Sequence, residues 1–180
     1  DWDDIDQDCD GFDQHAFVQI STGYDHACGV STIGEIHCWG RNDNEQTNPT
    51  ITEGIMVTAG VQHSCAIDTF GLVSCWGSNN SSQLNAPTGT FEKISAGYYH
   101  TCGIRSNGSL DCWGMNSNGQ GTPPTGSFVD VSSGGSFSCA LASSGYVSCW
   151  GYDGSQQVTG VPLEIFSAIS AGGSHACGVL

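Results

Sequence analysis

Ten cysteines, and a histidine that keeps returning beside them, are the residues of this 180-residue chain best equipped to do chemistry. Cys28, Cys65, Cys102 and Cys139 stand 37 residues apart, and Cys38, Cys75, Cys112 and Cys149 repeat at the same step, each followed by Trp and Gly. Two thiols recurring at a fixed separation can close a disulfide in every unit. With His26, His63 and His100 they also form a His-x-Cys…Cys set that zinc could take. Structural zinc asks for four ligands and short cysteine spacings, which are absent here. The fourth unit also carries Phe137 at the histidine position. Oxidative pairing is the chemistry this spacing favours. A second ligand set opens the chain: Asp6-Gln-Asp8-Cys-Asp10-Gly11 has the Asp-x-Asp-x-Asp-Gly form of a calcium loop, with alternate carboxylates converging on one hard cation. Asp4 and Asp13 add candidate oxygens, whereas the twelfth position counted from Asp6 is Phe17, so the bidentate Glu of an EF-hand is missing.

The elements that position these residues follow from the period. Self-similarity at 37 residues marks a repeat architecture rather than a string of independent domains. Phe91, Ile94, Gly97, His100, Cys102 and Ile104 are matched by Phe128, Val131, Gly134, Cys139 and Leu141, and then by Phe166, Ile169, Gly172, His175 and Cys177. Apolar residues alternate with small or polar ones over short runs, which is the period of strands. No stretch carries a useful helical stripe. Gly34, Gly71, Gly108 and Gly145 each follow the first cysteine of their unit by six residues. A three-residue hairpin loop needs a positive φ at its end, which Gly adopts without steric cost. Folding about Ser106-Asn107-Gly108 sets Cys102 opposite Cys112, and paired strand positions lie about 4.5–5.5 Å apart at Cα, within disulfide reach. The expected bonds are Cys28–Cys38, Cys65–Cys75, Cys102–Cys112 and Cys139–Cys149.

The pattern Gly-x-x-His-x-Cys, then Gly, then Cys-Trp-Gly-x-Asn resembles the repeat of the RCC1 (regulator of chromosome condensation) family over nearly the whole chain. Cysteines at both paired positions look like its secreted bacterial branch. The resemblance implies an all-β protein, a β-propeller of about five blades around a central axis, where full family members typically have seven. We expect residues 1–16 to be an acidic N-terminal segment and 17–180 the propeller. The stretch Asp4–Gly11 also resembles Asp-rich metal-binding repeats of secreted bacterial proteins. Trp2 sits 37 residues before Trp39, and Leu180 falls just before a fifth hairpin turn, so the two ends look complementary. The terminal blade is expected to form from both ends or to be completed by a neighbouring chain. Cys9 and Cys177 remain after four hairpin bonds and are expected to pair, within one chain or between two.

Composition narrows the function. Many cysteines and few charges point to an oxidising compartment, hence a secreted, extracellular or cell-surface protein. With no initiator Met, signal peptide or long apolar run, the chain reads as a mature soluble form starting at Asp1. Only Arg41, Lys93 and Arg105 oppose 18 acidic residues, for a net charge of -15. That field excludes nucleic acid as a partner and argues against membrane insertion or an anionic membrane surface. Seven of the acidic residues lie in the first 13 positions, so much of the charge is local. No nucleophile elbow, phosphate loop or dinucleotide fingerprint is present, and pairing of all ten cysteines leaves no thiolate. His26, His63, His100 and His175 share one repeat position, which reads as packing between blades rather than a catalytic base. Trp39, Trp76, Trp113 and Trp150 read as blade core, or else as aromatic platforms for sugars. Asn79, Asn80 and Asn107 begin Asn-x-Ser sequons. The expected protein is a non-enzymatic scaffold for extracellular recognition or adhesion, binding a glycan or protein. Calcium is its one expected cofactor. The alternative is a filament subunit that self-associates head to tail into a polymer through complementary half-blades. Regulation of a GTPase, the role of the family's eukaryotic namesake, is not expected, because fold does not carry function.

Overall fold

The structure, a computed structural model, describes residues 16–180 and contains no helix among them. The first sheet consists of β1 (Phe17–Thr22), β2 (His26–Ser31) and β3 (Ile36–Gly40). The second consists of β4 (Met56–Ala59), β5 (His63–Ile67) and β6 (Val73–Gly77). The third consists of β7 (Phe91–Ala96), β8 (His100–Arg105) and β9 (Leu110–Gly114). The fourth consists of β10 (Phe128–Ser133), β11 (Phe137–Ala142) and β12 (Val147–Gly151). Each is antiparallel, with strands in chain order. The fifth sheet holds two strands among the described residues, β13 (Ala168–Ala171) and β14 (Ala176–Val179). The first strand of each sheet contacts the first strand of the next, from β1 through β4, β7 and β10 to β13. The sheets therefore radiate from a common axis as the blades of an all-β propeller.

The hairpins form as the glycines dictate. Gly34, Gly71, Gly108 and Gly145 have φ of 89°, 84°, 83° and 85°. Arg105 N donates to Ser109 O and Gly108 N to Arg105 O, both at 2.8 Å, which closes the three-residue loop. The register that follows sets Cys28 opposite Cys38, Cys65 opposite Cys75, Cys102 opposite Cys112 and Cys139 opposite Cys149. All four pairs are disulfides, with Cα separations of 4.0–4.1 Å. That is closer than the sequence geometry suggests, and the ladder explains it. Counting back from Ser31, whose N–H bonds Glu35 O, Cys28 and Cys38 fall on a non-hydrogen-bonded pair, where strands approach most closely.

No blade owns its core. Cys28, Val30 and Ile36 of the first blade are buried against Val57, Ala66 and Trp76 of the second. Cys65 and Ile67 pack with Phe91, Ile94 and Trp113, and Cys102, Ile104 and Leu110 with Phe128, Val131, Ala140 and Trp150. Burying one such side chain contributes roughly 1.5–3 kcal/mol, so each seam depends on having a neighbour. Trp39 shows the converse: it stays 45% exposed, packed against Phe17 at 5.6 Å between ring centroids with the rings tilted by 39°.

Candidate functional site

The repeated polar residues meet in the seams. His26 Nε2 lies 2.8 Å from Ser64 Oγ, His63 Nε2 2.9 Å from Thr101 Oγ1 and His100 Nε2 2.8 Å from Ser138 Oγ, each pair joining one blade to the next. Ser64 Oγ itself donates to the Gln46 carbonyl at 3.0 Å, so it must accept from His26. The imidazole is thereby held as the neutral Nε2–H tautomer. Burial pushes His63 down to about 3, helped by the neighbouring His100 and His26, and pushes His100 down to about 4. His26 is also lowered by burial, against the pull of Asp25. These rings are structural donors that resist protonation. In the fourth blade the ring is Phe137, fully buried, and the strand position that carries the hydroxyl elsewhere is Ala176, paired with Ala171 as Ser138 is with Ser133. Ring and partner have become apolar together, as satisfaction of buried polar groups requires.

The tryptophans serve the same seams. Trp76, Trp113 and Trp150 are buried and donate through Nε1 to the carbonyls of Gln46, Gln83 and Gln120 at 2.9, 3.0 and 2.9 Å. Those three therefore stand in the core and offer no platform for sugars. The glutamines are buried too, and their side-chain oxygens accept from Asn44 N, Ser81 N and Asn118 N. Hydroxyls on the inner strands complete the stitching: Ser21, Thr58, Ser95 and Ser132 accept from Ala59 N, Ala96 N, Ser133 N and Ala171 N of the following blade. Gln46, Gln83, Gln120 and Gln157 also recur at the 37-residue step, a periodic signal that the sequence reasoning missed.

One site open to a ligand lies on the face where the first two strands of each blade turn. There the blades leave an axial hollow of about 230 Å³, floored by Gly23, Gly60, Gly97, Gly134 and Gly172 and rimmed by Tyr24 and Tyr98. The turns are tied around it by Tyr24 N to Gly60 O and Val61 N to Tyr98 O, both at 3.2 Å. A Cβ at Gly60 would stand 2.6 Å from the Gly97 carbonyl, so no other residue fits that approach. Tyr24 and Tyr98 are exposed, as is Tyr152.

The cations are spoken for. Arg41 binds Asp25 and Asp43, which hold its guanidinium above its ordinary value; Lys93 binds Asp130 and Arg105 binds Asp111. Among the described residues, no three His, Cys, Asp or Glu side chains converge to hold a metal. Asp4, Asp6, Asp8, Asp10, Asp13 and Cys9 lie outside the described residues, and with them the expected calcium loop and the Cys9–Cys177 pairing. Cys177 is exposed and makes no disulfide with a described cysteine. Asn107 sits at a hairpin tip, its Oδ1 accepting from Ser109 N and Ser109 Oγ.

Comparison with known proteins agrees with this geometry. The Regulator of chromosome condensation (RCC1) repeat matches residues 17–46, 57–83, 91–120 and 128–157. No curated protein matches the chain in sequence. Among solved structures, the CRINKLY WD40 ectodomain of the Arabidopsis thaliana receptor kinase ACR4 is 28% identical, with a TM-score of 0.77 over 93% of this chain and 69% of that one. The entire ectodomain of the Physcomitrella patens receptor kinase CR4 is also 28% identical, with a TM-score of 0.79 over 91% of this chain and 48% of that one. Prp20p of Saccharomyces cerevisiae, at 16% identity, shares the fold, with a TM-score of 0.81 over 93% of this chain and 57% of its own. The chain thus spans about half to two thirds of the length of these three structures. With its repeats matched in register and its blades built as theirs are, the chain belongs to the RCC1 repeat family.

Proposed function

We propose that the chain is an extracellular, non-catalytic interaction module that takes a protein ligand on the face bearing the axial hollow. One observation carries this reading. The residues that recur in register are spent on closing each blade's hairpin (Cys) and on holding blades together (His, Trp and Gln), while the turns around the hollow vary over the first four blades, the fifth repeating the fourth. They read Tyr24-Asp25, Val61-Gln62, Tyr98-Tyr99, Gly135-Ser136 and Gly173-Ser174. A constant frame with variable loops is how rigid scaffolds carry recognition. Aromatic side chains at the rim supply contact area at low conformational cost. Four disulfides and the likeness to two receptor ectodomains support an extracellular setting. A protein ligand suits the fold, since yeast Prp20 has been solved bound to Kap60.

The test is to probe the oxidised chain, and a Tyr24→Ala/Tyr98→Ala variant of it, against arrays of extracellular proteins and of glycans. A protein ligand lost in the variant supports the reading. Retention of the same ligand by the variant moves binding off this face, and a response confined to the glycans replaces the protein ligand with a sugar.

A further inference from the structure

The hairpin tips share a frame but not a chemistry. The tip glycine is flanked by Asn107 and Ser109 in the third blade and by Phe70 and Leu72 in the second. The frame therefore accepts a polar tip, and folding does not ask for an apolar one. Phe70 is nevertheless 79% exposed. Asp68 Oδ1 accepts from Phe70 N at 2.8 Å and from Leu72 N at 2.9 Å, which fixes the shape of that tip. Ile55 N donates to Ile67 O, so Ile55 stands beside Asp68 on the side away from Leu72. Across the seam, Gly54 N donates to Gly34 O and Glu53 pairs with Glu35, which brings Ile33 and the tip of the first blade alongside. Ile33, Ile55, Phe70 and Leu72 are all exposed. The charges among them are the carboxylates Glu35, Glu53 and Asp68, with His37 Nε2 3.3 Å from Glu35 Oε2. Between Arg41 and Lys93 the sequence holds no Lys or Arg, and Arg41 lies at the other end of its blade, bound to Asp25 and Asp43.

We propose that this end of the first two blades is a docking surface for a basic protein segment. Apolar side chains of the segment cover Ile55, Phe70 and Leu72, and its Lys or Arg side chains meet Glu35, Glu53 and Asp68. Exposed apolar groups standing among charges of one sign select a partner that is apolar and of the opposite sign. The same field opposes the chain's own residues 1–15, which hold seven Asp and no Lys or Arg, and it opposes an anionic membrane. A protruding aromatic on a fixed turn gives up little freedom on binding, which suits an anchor. The surface lies at the far end of the strands from the axial hollow, so its failure leaves the proposed function untouched.

The probe is a short fluorescent peptide of alternating Leu and Lys, titrated into the oxidised 180-residue chain beside a Leu and Glu peptide of the same pattern and a lysine homopeptide. Saturable binding of the first alone is expected, weakening as salt rises. Phe70→Asn with Leu72→Ser writes the third blade's own tip into the second, so the fold should stand while binding weakens at least about ten-fold. Glu53→Gln with Asp68→Asn keeps an oxygen for the two tip amides and should weaken binding while flattening its salt dependence. Four results overturn the proposal. They are no saturation up to about 1 mM, equal binding of the lysine homopeptide, unchanged binding by the Phe70→Asn/Leu72→Ser chain, or self-association of the chain alone that this variant abolishes. The last would make the occupant a second copy.

Discussion

Replacing Ser138 with alanine removes the acceptor of His100 Nε2 and the donor to Ser133 Oγ, and the structure says what the first loss should cost. His100 has no exposed surface, and its Nε2 lies 2.8 Å from Ser138 Oγ. With alanine there, the Nε2–H keeps its burial and loses its partner, a loss of about 1–3 kcal/mol. His100→Phe alone should cost less, since Ser138 Oγ retains Ser133 Oγ at 3.0 Å. The double variant reproduces the apolar ring and alanine that the chain already uses at Phe137 and Ala176, so it should recover the part of the loss owed to the unpartnered Nε2–H, while Ser133 Oγ, whose counterpart there is Ala171, stays without its donor. Gly97 leaves the same room beside His100 that Gly134 leaves beside Phe137, so the phenyl ring fits. A coupling energy of about 1–2 kcal/mol is expected from the four-member cycle. Denaturant unfolding of the oxidised proteins at pH 7.5, followed by tryptophan fluorescence, measures it. Coupling within about 0.3 kcal/mol of zero would refute the argument that hydrogen-bond satisfaction links ring and hydroxyl across the seam.

Three further outcomes are expected. The buried histidines make stability pH-dependent: the unfolded chain takes up protons below about 6.5, while His63 and His100 in the fold hold out to about 3 and about 4. Their contribution is therefore whole above about pH 6.5 and is lost as pH falls towards 4, at roughly 1.4 kcal/mol per pH unit for each ring. Urea midpoints between pH 6.5 and 5 should show this slope, reduced in the His100→Phe/Ser138→Ala protein, and a flat profile would contradict it. Replacing Cys102 and Cys112 by alanine together opens a loop of sequence separation 10 and should cost about 3 kcal/mol in denaturant unfolding. A calcium loop at Asp4, Asp6, Asp8, Asp10 and Asp13 would raise the melting temperature when calcium is added, an effect removed by chelator and by Asp6→Asn. An unchanged melting curve rejects a stabilising site.

The parts of this molecule that were legible in its sequence are those that demand one residue type at one place. A positive φ at a hairpin end demands glycine, and a cross-strand bond demands two cysteines, so Gly108, Cys102 and Cys112 announce the hairpin without any tertiary knowledge. The shared histidine position announced a seam residue for a similar reason. Its partner was hidden, because Ser64, Thr101 and Ser138 read as the ordinary polar alternation of a strand next to a cysteine. The pairing of Phe137 with Ala176 becomes visible only once the blade-to-blade register is known. Trp39 and Trp76 have the same local sequence yet differ in exposure, since burial here depends on the neighbouring blade. The tyrosine rim of the hollow left only a broken trace, since Tyr24 and Tyr98 share a repeat position that holds Val61, Gly135 and Gly173 in the other blades.

Every disulfide described here lies inside one blade, and among the described residues the seams between blades are joined by non-covalent contacts. Under tension, as when a surface-tethered molecule is dragged by flow, the array would yield seam by seam. A fully extended 37-residue unit would release about 130 Å of chain, but the bonded hairpin withholds ten residues of it and trims the release to about 95 Å. A chemically reducing milieu would lengthen each of those steps without changing how many there are.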